Sequence, residues 1–288
     1  MNFKTRFKKI LARIPIRRFQ DPDPMVSVLR LNGIIGRAGP FGNGMTLASL
    51  EKNLEKAFSG SRVKTVALVI NSPGGSPVQS AMISRRIREL SDEKDIPVIA
   101  FTEDVAASGG YWLACSADEI YADENSLIGS IGVISSGFGF NRAIERLGIE
   151  RRVHTVGKKK GMMDPFQPEN QEDIETLKEI QKEIHESFKK RVTESRGEKL
   201  SKTKTPLFDG EIWTGIKAET LGLVDGIGDM RSVMRKLHGD RVKYKFISFR
   251  NNPIKRIFGG SNESKERMKV ISTLSVLEEW AVWKRFGL

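Results

Sequence analysis

Apolar residues in the first half of the chain fall into short runs, each closed by a glycine-bearing turn. After the break Asp21-Pro22-Asp23-Pro24, Met25-Val26-Ser27-Val28-Leu29-Arg30-Leu31 reads as a strand ended by Asn32-Gly33. A Gly-rich stretch, 36–44, leads to a helix from Leu47 to Phe58. Val66-Ala67-Leu68-Val69-Ile70 is then a continuous apolar run of the buried parallel-strand kind, ended by Asn71-Ser72-Pro73-Gly74-Gly75. Ser76 caps the next helix, Pro77 takes its first position, and Ile83, Ile87 and Leu90 recur on one face.

The unit repeats. Pro97-Val98-Ile99-Ala100-Phe101 is a strand, Ala107 to Ala114 a helix, and Asp118-Glu119-Ile120-Tyr121-Ala122 a further strand. This alternation predicts an α/β fold with parallel strands and right-handed crossovers. The uncharged segment 126–140 holds too many glycines for a stable helix and predicts close backbone approach. Glu169 to Arg196 is the longest helix, with Ile174, Leu177, Ile180, Ile184, Phe188 and Val192 in one stripe expected to pack on the core. Residues 250–269 read as a polar, basic linker, and 270–288 as an amphipathic helix that docks on its own domain or makes a subunit or membrane contact. The domain reading is a basic N-terminal segment 1–24, a catalytic domain 25–249, and a linker with C-terminal helix 250–288.

Charge adds a detail at the N-terminus. The formal net charge is +12, and seven of those charges (Lys4, Arg6, Lys8, Lys9, Arg13, Arg17 and Arg18) lie in the first nineteen residues, which carry no acid. Phe3, Phe7, Ile10, Leu11 and Ile14 recur there at helical spacing, so the segment reads either as a helix lying on a membrane surface or as a solvated basic tail. Basic residues interrupt the apolar core that a secretory signal needs, and no apolar run reaches the ~18 residues of a spanning helix. The expected location is cytoplasmic, or peripheral on the cytoplasmic membrane face. One cysteine, Cys115, and three histidines offer no zinc-like spacing, so no metal or cofactor is expected. The basic residues are not interleaved with aromatics in a recognised module, and no nucleic acid partner is expected.

The candidate chemistry centres on Ser108, in Asp104-Val105-Ala106-Ala107-Ser108-Gly109-Gly110-Tyr111. A serine nucleophile needs a base. His154, His185 and His238 lack a convincing acid partner, whereas Lys158, Lys159 and Lys160, between Gly157 and Gly161, read either as a plain exposed loop or as a trio in which each lowers the others' proton affinity. Gly74-Gly75 at a strand end and Gly109 after the serine offer backbone N–H groups for an oxyanion. A helix beginning at Ser108 favours negative charge there.

Five motifs in order resemble the signal peptide peptidase A (SppA) serine proteases over residues 25–240. They are Asn71-Ser72-Pro73-Gly74-Gly75, Ala107-Ser108-Gly109-Gly110-Tyr111, Ile128-Gly129-Ser130-Ile131-Gly132-Val133, Gly157-Lys158-Lys159-Lys160, and Trp213-Thr214-Gly215 with Leu221-Gly222-Leu223-Val224-Asp225. The resemblance implies the ClpP/crotonase α/β superhelix of repeated β-β-α units. It makes Ser108 the nucleophile, Lys160 the general base, Ser130 the residue that orients the lysine, and Gly75 and Gly109 the oxyanion donors. It also implies hydrophobic peptide substrates such as signal peptide remnants, and a homo-oligomer in which adjacent subunits supply the serine and the lysine. Members commonly carry an N-terminal transmembrane helix, where this chain has a basic amphipathic segment. Two other readings share parts of the pattern: a crotonase-type acyl-CoA enzyme, which needs acidic groups rather than a Ser-Lys pair, and a non-catalytic membrane-associated scaffold.

Overall fold

A computed structural model of the protein describes residues 22–36, 44–200, 205–247 and 280–287. The basic N-terminal segment and the linker at 250–269 lie outside the described residues, as does most of the C-terminal helix.

The long apolar runs form the centre of one sheet. Strands β1 (Met25–Asn32), β2 (Val63–Ser72) and β3 (Val98–Ala107) lie side by side and parallel, with β8 (Lys243–Ile247) parallel to β1 at the edge. Beyond β3 the sheet divides. Its first half, Ile99–Thr102, pairs with β4 (Glu119–Ala122), which pairs in turn with β7 (Gly226–Ile227). Its second half, Val105–Ala107, pairs with β5 (Leu127–Gly129), which carries the antiparallel β6 (Ile212–Thr214). The strand read as Pro97–Phe101 thus runs on to Ala107. Polar Thr102, Glu103 and Asp104 conceal the extension in the sequence, because they sit where the β2–β3 register shifts and four residues of β3 answer two of β2.

Helices α1 (Leu47–Ala57), α2 (Pro77–Lys94) and α3 (Gly109–Ala114) pack on one face, where Leu50, Leu54, Ile83, Ile87, Tyr111 and Leu113 join the main core. Burying each such side chain contributes about 1.5–3 kcal/mol. Ser76 caps α2 through its hydroxyl, with proline at the first position, as the sequence predicts. In chain order the short α4 (Asn141–Arg146) precedes and the short α6 (Gly215–Thr220) follows the long α5 (Gln171–Arg196), and α7 (Met230–His238) covers the other sheet face, with Met234 in one cluster with Val26, Val28 and Phe101. On that face Phe286 and Trp283, from the last described turn, pack against Val105, Ala107, Leu127 and Ile212. The described end of the C-terminal segment therefore docks on its own domain.

The stripe on α5 is core only in part. Phe188 and Val192 are buried, whereas Ile180 is 43% exposed and Ile174, Leu177 and Ile184 are only half-buried. The N-terminal half of the helix leaves the domain alongside segment 133–166, in which α4 buries no residue and Ile134, Phe138, Leu147 and Val156 are exposed. Helical periodicity shows that a face is apolar; which protein surface covers it is a matter of tertiary structure.

Candidate active site

Ser108 occupies the single residue between β3 and α3, as N-cap of the helix, with φ 51° and ψ −121°. That region costs a residue with a Cβ about 1–3 kcal/mol and persists only where the surroundings enforce it. They do so here. The Ser108 N–H donates to the Gly129 carbonyl at 2.8 Å, and its own carbonyl accepts from the Trp112 N–H at 3.0 Å. Farther along α3, the Tyr111 hydroxyl donates to the Leu223 carbonyl at 2.7 Å, and the Trp112 ring stacks on Phe188 of α5 with centroids 4.8 Å apart. No described hydrogen bond engages the Ser108 hydroxyl, and the residue is partly open to solvent.

The turn after β2 lies against this elbow. Gly74 and Gly75 both have positive φ, and a Cβ at Gly74 would sit 2.8 Å from Ser108 Cβ. At Gly75 a Cβ would sit 2.0 Å from the Ile35 carbonyl oxygen, so only glycine fits. Ile35 bonds this turn on both sides, donating to the Gly74 carbonyl (2.8 Å) and accepting from the Ser76 N–H (2.8 Å). The Gly75 N–H between those two bonds has no backbone acceptor among the described residues. The Gly109 N–H, at the free end of α3, has none either. The two residues touch, since a Cβ on Gly109 would lie 3.3 Å from the Gly75 nitrogen. Two unpaired backbone donors thus lie beside the Ser108 hydroxyl, an arrangement able to accept hydrogen bonds onto a developing negative charge.

Ser130 adjoins this group. It is buried at 4% exposure with φ 51°, and its N–H donates to the Glu211 carbonyl at 2.6 Å. The close approach foreseen for 126–140 is observed: a Cβ at Gly129 would meet the Glu211 carbonyl oxygen at 2.7 Å and the Trp213 ring at 2.8 Å. Lys160 lies elsewhere. It is exposed, and its N–H bonds the Gly157 carbonyl at 3.1 Å. Its neighbour Lys159 pairs with Glu172 at 2.7 Å and donates to Thr176 at 3.3 Å, both in the first turns of α5. His185, which reaches the Ile131 carbonyl at 3.2 Å, comes nine residues after Thr176, about 14 Å along the helix. No described contact joins Lys160 to Ser108 or Ser130 of the same chain. His154 is exposed on the same segment.

Two supports gave no distinct signal in the sequence. The Asn71 amide donates to Asp104 (2.6 Å) and its oxygen accepts from the Val105 N–H (3.3 Å), tying the strand before the Gly74-Gly75 turn to the serine's strand across the β3 irregularity. Arg196, with its side chain 1% exposed, forms two bonds to Asp225 (2.7 and 3.0 Å) and one to the Gly222 carbonyl (2.9 Å), fixing the loop that receives Tyr111. Burial alone would raise the Asp225 carboxyl, but hydrogen bonds from Arg196, Lys199 and the Ile120 N–H hold it below its ordinary value. Burial pushes the Cys115 thiol up to about 11, which suits an inert core residue. A groove of about 630 Å³ opens on the other sheet face, lined by Arg30, Val69, Phe101, Glu103, Met230 and Phe246, away from Ser108. Its Arg30 and Glu103 are already paired at 2.8 Å.

Comparison with known proteins gives the family. The sequence model of Peptidase family S49 matches residues 91–243. A Brucella abortus protein named Na(+)/H(+) antiporter NhaA is 46% identical over 288 residues, covering 97% of this chain and 39% of that protein. A candidate signal peptide peptidase SppA of Enterococcus faecium is 32% identical over 221 residues, covering 74% of this chain and 62% of the relative. Protease 4 of Haemophilus influenzae is 32% identical over 203 residues, covering 65% of this chain and 30% of its own length. The chain thus spans 39% of the length of the Brucella relative. The divided central sheet with helices on both faces is the ClpP-like α/β fold that the motifs implied. With the S49 model matching more than half of its residues, the chain belongs to peptidase family S49, the SppA-type serine proteases.

Proposed function

We propose that the chain is a serine endopeptidase working through a Ser108–Lys160 dyad in which the two residues come from adjacent copies. The observation that carries this reading is Ser108, held at positive φ beside the unpaired N–H groups of Gly75 and Gly109. The neutral amine of Lys160 takes the hydroxyl proton as Oγ bonds to the peptide carbonyl carbon. The oxyanion accepts from Gly75 and Gly109. Collapse expels the amine, which takes the proton back from the ammonium, and leaves an ester on Ser108. Water, deprotonated by the same lysine, then hydrolyses the ester. The separation of Lys160 from Ser108 within one chain supports a lysine from a second copy, as do the exposed apolar residues of 133–166 and of α5.

Hydrophobic peptides such as signal peptide remnants are the proposed substrate class, supported by the SppA name of the Enterococcus relative. The antiporter name belongs to a polypeptide of which this chain matches 39%, and ion transport forms no part of the proposal.

The decisive experiment is complementation. Ser108→Ala and Lys160→Ala should each abolish cleavage of a hydrophobic fluorogenic peptide, and mixing the two after dissociation and reassembly should restore part of it. Activity remaining in Ser108→Ala would sink the mechanism; two inactive variants that never complement would return the dyad to one chain.

A further inference from the structure

The strand registers place a third polar residue in line with the two serines. Ala107 pairs with Gly129, and Gly129 with Ile212. One residue on, Ser108, Ser130 and Glu211 form the next row across β3, β5 and β6. The bonds Ser108 N–H to Gly129 carbonyl and Ser130 N–H to Glu211 carbonyl connect its members. In the strands that lead to the row, Ala107, Leu127 and Ile212 belong to one cluster and Ile128 and Trp213 to the main core on the other face. Strand spacing sets Glu211 about 10 Å from Ser108, with Ser130 between them.

Glu211 Oε2 is buried and has no hydrogen-bond partner among the described residues. A carboxylate oxygen out of water without a donor is costly, so the position favours a cation delivered from outside the chain. The neighbouring Ser130 hydroxyl has no described partner either. We propose that Glu211 is a positioning residue for the catalytic lysine: its carboxylate accepts an N–H of the ammonium formed when Lys160 of another copy takes the Ser108 proton, with Ser130 as the intervening ligand. The proposal rests on the Ser108–Lys160 reading. Glu211 takes up no proton; it holds the amine in the row and favours the charged form that proton transfer creates.

The test is the pH dependence of Ser108 labelling by a fluorophosphonate, in the assembled full-length protein. Labelling requires the neutral amine, so its rate rises with pH through the lysine's proton affinity. An adjacent carboxylate raises that affinity. Glu211→Gln should therefore move the rising limb to lower pH by about one unit, and cut the plateau rate about tenfold through loss of positioning. Glu211→Asp, which keeps the charge, should leave the limb near its wild-type position. Other titratable or charged groups on the adjoining segments are Asp209, two residues before Glu211, His185 against the Ile131 carbonyl, and Arg191, which is turned to the Cys115 carbonyl. The shift must persist in a His185→Gln background. An unmoved limb in Glu211→Gln, with labelling abolished in Lys160→Ala, overturns the role of Glu211 and leaves the dyad standing. Wild-type labelling in Lys160→Ala overturns the dyad, and the role of Glu211 with it.

Discussion

The Ser108 N–H donates to the Gly129 carbonyl at 2.8 Å, and this bond ties the Ser108 elbow to the end of β5, next to Ser130. It holds Ser108 at φ 51° although the residue has a Cβ. Strain at this position is sustained by neighbours on three other segments: Gly74 on the β2 turn, Gly129 on β5 and the Leu223 loop.

Relieving that strain should separate stability from activity. Ser108→Gly and Ser108→Ala should both abolish fluorophosphonate labelling, but the glycine variant should be more stable than the alanine one by about 1 kcal/mol, because only glycine occupies this region at little cost. Denaturant midpoints of the two variants check this. Equal midpoints would mean that the turn is unstrained.

Gly74→Ala should lower both activity and stability, because its φ of +106° disfavours a side chain and the space is filled. The new Cβ would sit 2.8 Å from Ser108 Cβ and 2.9 Å from the Gly109 nitrogen, so the oxyanion turn and the elbow must part. Overpacking of this kind costs about 1–3 kcal/mol, while loss of oxyanion donors lowers kcat about 10²–10³-fold. Steady-state kinetics beside a thermal melt distinguish the two effects.

Tyr111→Phe deletes one hydroxyl and leaves the buried Leu223 carbonyl without its donor. A loss of about 1–3 kcal/mol is expected. Because Tyr111 lies three residues after Ser108, labelling should slow as well, and a destabilised variant labelled at the wild-type rate would show that α3 needs no such anchor.

Arg196→Ala should cost about 1–3 kcal/mol, since Asp225 loses two hydrogen bonds and the Gly222 carbonyl one, while Lys199 and the Ile120 N–H still hold the carboxylate. The wild-type pair also sets a pH dependence. The folded-state Asp225 carboxyl lies below its ordinary value of 3.8, so its contribution is present above the unfolded-state value and is lost as the pH falls through the folded one. Urea unfolding of the wild type should therefore weaken below about pH 4, and Asp225→Asn should flatten that part of the profile.

The order of strands and helices was legible from the chain alone, because burial imposes a two-residue or 3.6-residue period on neighbouring side chains, and glycine pairs mark where the backbone must turn. Ser76-Pro77 announced a helix start, and the apolar run at 66–70 announced a central strand, through local chemistry of this sort. Gly74 and Gly75 could be read as a turn, but their contact with Ser108 and Gly109 depends on β2 and β3 being neighbours. Tertiary structure alone set Ser108, Ser130 and Glu211 in one row, since their alignment comes from hydrogen-bond register between segments more than twenty residues apart. It also left half of the α5 stripe uncovered and carried Lys160 away from the serine of its own chain. Sequence periodicity reports that a face is apolar or a residue reactive; distance and partner are fixed only when the sheet closes around them.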